Sequence, residues 1–164
     1  QAHVAQREKW QQDEGGYNHI QSTKPQTLSY GLNDSPVGLA AWIVEKYRTW
    51  SDCGGDVERR FTKDELLTNI TIYWVTQTIG SSVRMYYDNQ RGTWAMGKDE
   101  LAPTPAAVAV FPGEISRPPK EWAQRSYNVC RWTGMPRGGH FAALEEPELL
   151  VEDVRAFFRS YRAG

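Results

Sequence analysis

Two short apolar segments in the second half of the chain restrict its fold more than any other feature. "AAVAVFP" (106–112) is an unbroken apolar run between prolines, and "SYNVCRWTG" (126–134) is a second strand candidate. The stretch "PKEWAQRS" (119–126) between them fits one short helix. Such a strand–helix–strand unit pairs its strands in parallel, and an apolar run of this kind is typical of a fully buried strand.

A parallel sheet of only two strands should not be stable by itself. Both faces of a parallel sheet are normally covered, and an open strand edge exposes unpaired backbone groups. Because the sequence offers only two strand candidates, we predict that the chain is part of a larger fold or pairs with a second polypeptide.

The first half of the chain is predicted to be helical, with one irregular stretch. A short polar helix should pass through Trp10, whereas residues 16–38 show no clear period and are predicted to be rich in loops. Ser35 and Pro36 have the residue types of an N-cap and a first helical position, so a helix should begin there and end near Trp50.

Two further helices are predicted before the apolar segments. Thr62 and Glu65 form an S/T-x-x-E capping box, which predicts a helix that Gly80 should end. "SSVRMYYDNQ" (81–90) is predicted as another short helix. "RGTWAMGKDELAPTP" (91–105) has the Gly and Pro content of a linker or domain boundary.

The last predicted helix begins at Pro147 and is amphipathic. Its predicted apolar face consists of Val151, Val154, Phe157, Phe158 and Tyr161. The acids Glu145, Glu146 and Glu148 lie where the helix dipole favours negative charge, and we interpret them as a helix start rather than a metal site.

A carboxylate and an imidazole follow the two predicted strands. Glu114 comes just after the first strand, in "VFPGE", and His140 comes just after the second, in "MPRGGH". The carboxyl ends of parallel strands meet at one sheet edge, so both side chains should lie there. An acid that orients a general-base histidine is half of a catalytic triad, and Gly138 and Gly139 permit the tight turn required. The sequence contains no G-x-S-x-G nucleophile elbow.

The composition argues against several other classes of function. The 164 residues carry a formal net charge of -1, which does not favour a nucleic-acid or anionic-membrane partner. No apolar run approaches the roughly 18 residues of a bilayer-spanning segment. Cys53 and Cys130 lie outside any metal-binding spacing and are predicted to be free or buried thiols.

Four motifs in fixed order resemble the microsomal-type epoxide hydrolases of the α/β-hydrolase superfamily. They are "GYNHIQSTKPQTLSYGLNDSPVGLAAWIVEKYRTWSD", "DELLTNITIYWVTQTIGSS", "VAVFPGE" and "RGGHFAALEEPELLVEDVRAFF". The resemblance implies an α/β-hydrolase fold, with residues 1–97 as a helical lid. Residues 98–164 would be the C-terminal strand–helix–strand–helix part of the α/β core. The N-terminal half of family members supplies the rest of the sheet, the nucleophilic Asp and the oxyanion hole.

The resemblance also implies a role for four residues. His140, in "GGHFAA", would be the general base that activates the hydrolytic water, and Glu114 would hold and stabilise its imidazolium. Tyr17, in the predicted loop, and Tyr86 would hydrogen-bond the epoxide oxygen. Tyr87 is adjacent to Tyr86, and on a helix only one of the two can face the pocket.

The implied reaction adds water to an apolar or aromatic epoxide and gives a vicinal diol, through an ester on the Asp. No metal or organic cofactor is implied. The expected partners are the epoxide and the part of the same enzyme that carries the Asp, with no nucleic acid; a homodimer is a candidate assembly. A cytoplasmic location is expected, and a membrane anchor in the N-terminal part is the alternative.

Two alternative functions remain open from the sequence. An esterase or dehalogenase of the same fold is one, although neither reaction needs two phenol donors on a leaving oxygen. A non-catalytic relative that binds hydrophobic ligands, or a structural fragment, is the other, and the missing nucleophile keeps it open.

Overall fold

The computed structural model describes residues 2–92, 97 and 100–162, which fall into two compact units. The helical unit comprises residues 2–49 and 55–92. The sheet unit comprises residues 50–54, 97 and 100–162. The division at residues 97 and 98 stays a prediction, because Lys98 lies outside the described residues.

Helices make up most of the helical unit. They are α1 (Ala2–Glu14), α2 (Gly16–Thr23), α3 (Pro25–Asp34), α4 (Pro36–Trp50), α5 (Lys63–Thr76) and α6 (Ile79–Arg91), with a 3-10 turn at Val57–Arg59. Helix α6 packs against both α2 and α3. A buried apolar cluster of Leu32, Leu39, Ile70, Ile79 and Val83 joins α3, α4, α5 and α6.

The two predicted helix starts are confirmed by their hydrogen bonds. The Gly38 N–H donates to Ser35 Oγ at 3.0 Å, at the start of α4. At α5 the Glu65 N–H donates to Thr62 Oγ1 at 3.2 Å, and the Thr62 N–H donates to Glu65 Oε2 at 2.7 Å. Both halves of the capping box are therefore present.

The predicted loop at residues 16–38 is wrong, because α2 and α3 occupy most of it. The buried residues of α2 are the polar Gln21 and Ser22. The buried face of this helix therefore does not show the apolar periodicity that predicts a helix from sequence. Their polar atoms are satisfied: Ser22 Oγ donates to the Asn18 carbonyl at 2.6 Å, and Gln21 Oε1 accepts from Trp42 Nε1 at 3.3 Å. Tyr17 consequently lies in the first turn of a helix.

The prediction that Gly80 ends a helix is also wrong. Helix α5 ends at Thr76, with Gln77 in the left-handed region at φ 55°, and Gly80 lies in the first turn of α6. A Cβ at Gly80 would lie 3.3 Å from the Ser29 Cβ. The glycine therefore permits the close approach of α3 and α6. It does not mark the end of a helix.

The sheet unit contains the predicted strand–helix–strand. Its elements are β1 (Ala102–Val110), α7 (Lys120–Ala123), β2 (Tyr127–Gly134), α8 (Ala142–Glu145), α9 (Pro147–Phe158) and a 3-10 turn at Arg159–Tyr161. Strands β1 and β2 pair in parallel, as predicted. The prediction of full burial is wrong for residues 106–110, which are half-buried. Within the described residues β1 has one neighbouring strand, so its cover is incomplete.

Helix α9 begins at Pro147 as predicted, but its predicted apolar side is not covered by the described residues. Val151, Val154 and Phe158 are exposed. Asp153 is the buried residue of α9, and it accepts hydrogen bonds from Arg131 Nε and Thr133 Oγ1 of β2, both at 2.8 Å. The contact between α9 and β2 is therefore partly polar.

Cys53 is buried and Cys130 is exposed, and neither forms a disulfide in the part of the chain that the structure describes. Among the described helices, none combines the length and apolar composition that a bilayer-spanning segment needs.

Candidate active site

The sheet ladder brings Glu114 and His140 together beyond the ends of the strands. Gly113 and Gly139 form an isolated parallel bridge, and the Gly113 N–H donates to the Gly138 carbonyl at 2.9 Å. The residues that follow the bridge are Glu114 and His140. Their side chains meet in a hydrogen bond of 2.8 Å between His140 Nδ1 and Glu114 Oε1.

This hydrogen bond determines which nitrogen of the imidazole can act as a base. A carboxylate only accepts hydrogen bonds, so Nδ1 carries the proton and Nε2 of neutral His140 holds the lone pair. Glu114 Oε1 also accepts from the Ile115 N–H at 2.6 Å, which fixes the carboxylate. The side chains of His140 and Glu114 are 38% and 32% exposed, so other molecules can reach them.

The histidine loop (residues 137–141) has a backbone that only glycine allows. Gly138 has φ +102°, in the left-handed region. A Cβ at Gly139 would lie 2.7 Å from the Trp50 carbonyl oxygen, which is closer than a Cβ carbon approaches an oxygen atom. The His140 N–H donates to that same oxygen at 2.9 Å, and the Trp50 ring meets the imidazole edge-to-face at 5.3 Å. The segment 50–54 therefore lies directly against the loop.

The helical unit brings together the two predicted tyrosines. Tyr17 of α2 and Tyr86 of α6 have ring centroids 5.8 Å apart in an edge-to-face arrangement. Burial, followed by the charge and the hydrogen bond of Tyr86, raises the pKa of the Tyr17 phenol to about 12. Tyr17 therefore keeps its proton at neutral pH and can donate a hydrogen bond.

Packing distinguishes Tyr86 from its neighbour Tyr87. The Arg91 guanidinium lies 3.5 Å from the centroid of the Tyr87 ring, whereas Tyr86 contacts Tyr17. The sequence motif had also favoured Tyr86, rather than Tyr87, as the tyrosine that faces the pocket. A cation that sequence reasoning missed lies nearby: Lys46 Nζ is 4.7 Å from the centroid of the Tyr17 ring, and its side chain is 12% exposed. No local spacing links Lys46 to Tyr17.

The interpretation of the three acids before α9 needs a correction. Glu145 and Glu146 are buried, and only Glu148 lies in the first turn of α9. Glu146 accepts from Arg137 Nε at 2.8 and 2.9 Å. Glu145 accepts two backbone N–H groups, so both acids bond to the loop region rather than to a helix dipole. Within the described ranges, no group of three or more His, Cys, Asp or Glu side chains could hold a metal ion.

Comparison with known proteins identifies the kind of chain that carries these residues. No protein-family model matches it. A putative epoxide hydrolase of Stigmatella aurantiaca is 44% identical over 161 residues, which cover 98% of this chain and 36% of that protein. Epoxide hydrolase 1 of Sus scrofa is 48% identical over 153 residues, which cover 88% of this chain and 34% of that protein.

The solved structures agree. The structure of the Aspergillus niger epoxide hydrolase superposes on this chain with a TM-score of 0.80 and 28% identity, covering 97% of this chain and 39% of that one. Over almost its whole length, the chain is homologous to one part of the epoxide hydrolases of the α/β-hydrolase superfamily. The family and fold predicted from the motifs are confirmed. The chain spans about a third of the length of these epoxide hydrolase relatives.

Proposed function

We propose that this chain supplies the acid–base pair and the phenol donors of an epoxide hydrolase that converts an apolar or aromatic epoxide to a vicinal diol. The observation that carries the proposal is the 2.8 Å hydrogen bond between His140 Nδ1 and Glu114 Oε1, in a chain related to epoxide hydrolases. The whole enzyme would include a nucleophilic Asp in a segment joined to this one.

The first step of the proposed reaction opens the epoxide. The Asp carboxylate attacks one ring carbon, a carbon–oxygen ester bond forms, and the bond from that carbon to the ring oxygen breaks. The ring oxygen leaves as an alkoxide and takes a proton from a tyrosine phenol, which becomes a phenolate. Tyr17 and Tyr86 suit this role because phenol donors stabilise the charge that develops on the oxygen.

The second step hydrolyses the ester. His140 Nε2 takes one proton from water, and the resulting hydroxide attacks the ester carbonyl carbon. Collapse of the tetrahedral intermediate releases the diol and the carboxyl group of the Asp. The imidazolium proton passes to the departing diol oxygen, and the remaining proton from water restores the tyrosine phenol. Glu114 supports this step because its carboxylate stabilises the imidazolium that forms.

The environment of Tyr17 supports an apolar substrate. The ring centroids of Trp10 and Tyr86 lie 6.3 and 5.8 Å from that of Tyr17. An aromatic surround with a few phenol groups suits an apolar ligand that carries one polar atom. The homodimer and the cytoplasmic location stay predictions.

The test of the proposed function is a His140→Gln variant of the complete enzyme, in which this chain is joined to the Asp-bearing segment. The variant should still form the ester but should hydrolyse it about 10²- to 10⁴-fold more slowly, since a general base contributes about that much. Intact-mass spectrometry after mixing with styrene oxide should show a protein-bound adduct.

His19→Gln is the matched control, because His19 is exposed on α2 and should leave turnover unchanged. Normal turnover by His140→Gln would remove His140 from the mechanism. Absence of both turnover and adduct in the wild-type enzyme would favour the alternative of a binding protein for hydrophobic ligands.

A further inference from the structure

We propose that Glu145 is a positioning residue for His140, and that its carboxylate holds the histidine loop against the segment 50–54. The inference rests on the proposed function, because it concerns the step that His140 would catalyse. Glu145 is 8% exposed, and the carboxylate that bonds to the imidazole is that of Glu114. Glu145 would act through the backbone on either side of the base.

The two carboxylate oxygens of Glu145 accept hydrogen bonds from two different segments, the histidine loop and the segment 50–54. Oε1 accepts from the Phe141 N–H at 2.9 Å, and Oε2 accepts from the Asp52 N–H at 2.8 Å. Phe141 directly follows His140 in the chain, while Asp52 is 93 residues away from Glu145. One carboxylate therefore connects the residue after the base to the segment on which the base rests.

Asp52 completes the connection from the other side. Its Oδ2 accepts from the Gly138 N–H at 2.9 Å, two residues before the base. The His140 N–H itself donates to the Trp50 carbonyl at 2.9 Å. Thus the N–H groups of residues 138, 140 and 141 all bond to groups of the segment 50–54 or to Glu145.

The contact is also tight, so a small displacement would be transmitted to the imidazole. A Cβ at Gly139 would lie 2.8 Å from the Asp52 nitrogen and 2.9 Å from the Ser51 Cα. Loss of a bond that holds the loop would let it move away from Asp52. The His140 ring would move with it, relative to Glu114 and to the ester.

The two partners of Glu145 explain why an acid occupies this position. Both partners of Glu145 are N–H donors, and only a carboxylate offers an acceptor to each of them. Hydrogen bonds to an ionised group are short and strong, which offsets the cost of burying the charge. A glutamine would turn its NH₂ group toward one of the two backbone N–H groups, although its size is the same.

Because the histidine loop carries the base and no other proposed catalytic group, its displacement should impair only one step of the reaction. In the proposed reaction His140 acts in ester hydrolysis and not in ester formation. Loss of Glu145 should therefore slow the second step and leave the first step unchanged. A residue that only stabilised the fold would instead reduce the amount of active enzyme, which lowers the amount of ester formed but not the rate constant of its hydrolysis.

The experiment is a single-turnover measurement on the Glu145→Gln variant of the complete enzyme, with styrene oxide and rapid-quench mass spectrometry of the ester. We expect ester formation at the wild-type rate and ester hydrolysis slower by about 10- to 100-fold, the loss that a displacement near 1 Å causes. Asp52→Asn, which weakens the bond to Gly138, should show the same selective defect. Glu148→Gln, an exposed acid three residues further on, is the matched control and should behave like wild type.

Two results would overturn the inference while leaving the proposed function in place. One is ester hydrolysis by Glu145→Gln at the wild-type rate. The other is a slowing of ester formation as large as the slowing of hydrolysis, which would show that Glu145 does not act selectively on the step of the base. If the wild-type enzyme itself forms no ester, the proposed function fails instead, and the two failures are distinguishable.

Discussion

The two adjacent tyrosines of α6 illustrate how the direction of one side chain decides its chemistry. Successive residues of a helix point about 100° apart, so Tyr86 and Tyr87 have different neighbours. Tyr86 meets a second phenol, Tyr17, and Tyr87 meets the guanidinium of Arg91. A phenol paired with another phenol can donate jointly to one oxygen, whereas Tyr87 is held by a cation on its ring face.

We predict that Tyr86→Phe slows ester formation in the complete enzyme, while Tyr87→Phe does not. The loss should be about 10²- to 10³-fold, as for removal of one donor to a developing oxyanion. Single-turnover kinetics with styrene oxide would measure it. Tyr87→Phe is a matched control on the same helix, and a larger defect in that variant would show that Tyr87 is the donor.

A capping box stabilises the start of helix α5. The Thr62 hydroxyl and N–H exchange hydrogen bonds with the Glu65 carboxylate and N–H, which satisfies N–H groups that a helix start leaves unpaired. The Thr62 N–H and, second, its hydroxyl lower the pKa of the Glu65 carboxyl. Leu66 and Ile70, one and two turns further on, are buried, so the cap orients a helix that contributes to the apolar cluster.

We expect Thr62→Ala to lower the free energy of unfolding by about 0.5–2 kcal/mol at neutral pH, which is the usual cost of an N-cap. Urea denaturation of the complete enzyme, followed by far-UV circular dichroism, would measure the loss. Thr68→Ala, at an exposed position inside α5, is the control and should be neutral or slightly stabilising.

The effect of Thr62→Ala should depend on pH in one direction. Since the folded-state pKa of Glu65 is lowered, its ionised form stabilises the fold above the ordinary pKa of Glu, and this contribution is lost as the pH falls through the lowered value. The difference between variant and wild type should therefore narrow in acid. A difference that grows in acid would contradict this account of the cap.

Taken as a whole, the described chain leaves apolar surface without cover. Val151, Val154 and Phe158 of α9 are each 44–51% exposed, and β1 and β2 form a sheet of two strands within the described residues. The chain spans about a third of the length of its relatives, so in a complete α/β-hydrolase fold other elements would cover these surfaces.

We predict that the chain, prepared by itself, self-associates through these surfaces. Analytical ultracentrifugation should show oligomers or aggregates, and Phe158→Glu should reduce them because it places a charge on the apolar side of α9. Glu152→Lys changes the charge at an exposed polar position of the same helix and is the control. A soluble monomer with a sharp thermal transition would contradict the prediction.

Local signals predicted much of this fold from sequence, and non-local burial explains most of the errors. The capping box at Thr62 involves residues three apart, and the strand–helix–strand follows from short apolar runs, so both were predictable. Helix α2 was missed because its buried residues, Gln21 and Ser22, are polar. Gly80 was misinterpreted because its neighbour, Ser29, belongs to another helix.

The residues of the candidate site likewise fall into those that local signals predicted and those that depend on distant contacts. Glu114 and His140 were predicted together because each follows a strand, and parallel strands end at one edge. Glu145 was taken for a helix-start acid, because its bond to Asp52 spans 93 residues and leaves no mark on local spacing. Lys46 was overlooked beside Tyr17 for the same reason.

The sequence by itself therefore determined where most helices and strands begin, the parallel pairing and the family of enzymes to which the chain is related. These depend on bonds between near neighbours in the chain and on motifs that can be read in order. Only the tertiary structure decided which buried acid bonds to the histidine loop and which cation lies beside Tyr17. Those outcomes depend on contacts between segments far apart in the chain, which form only when the elements pack.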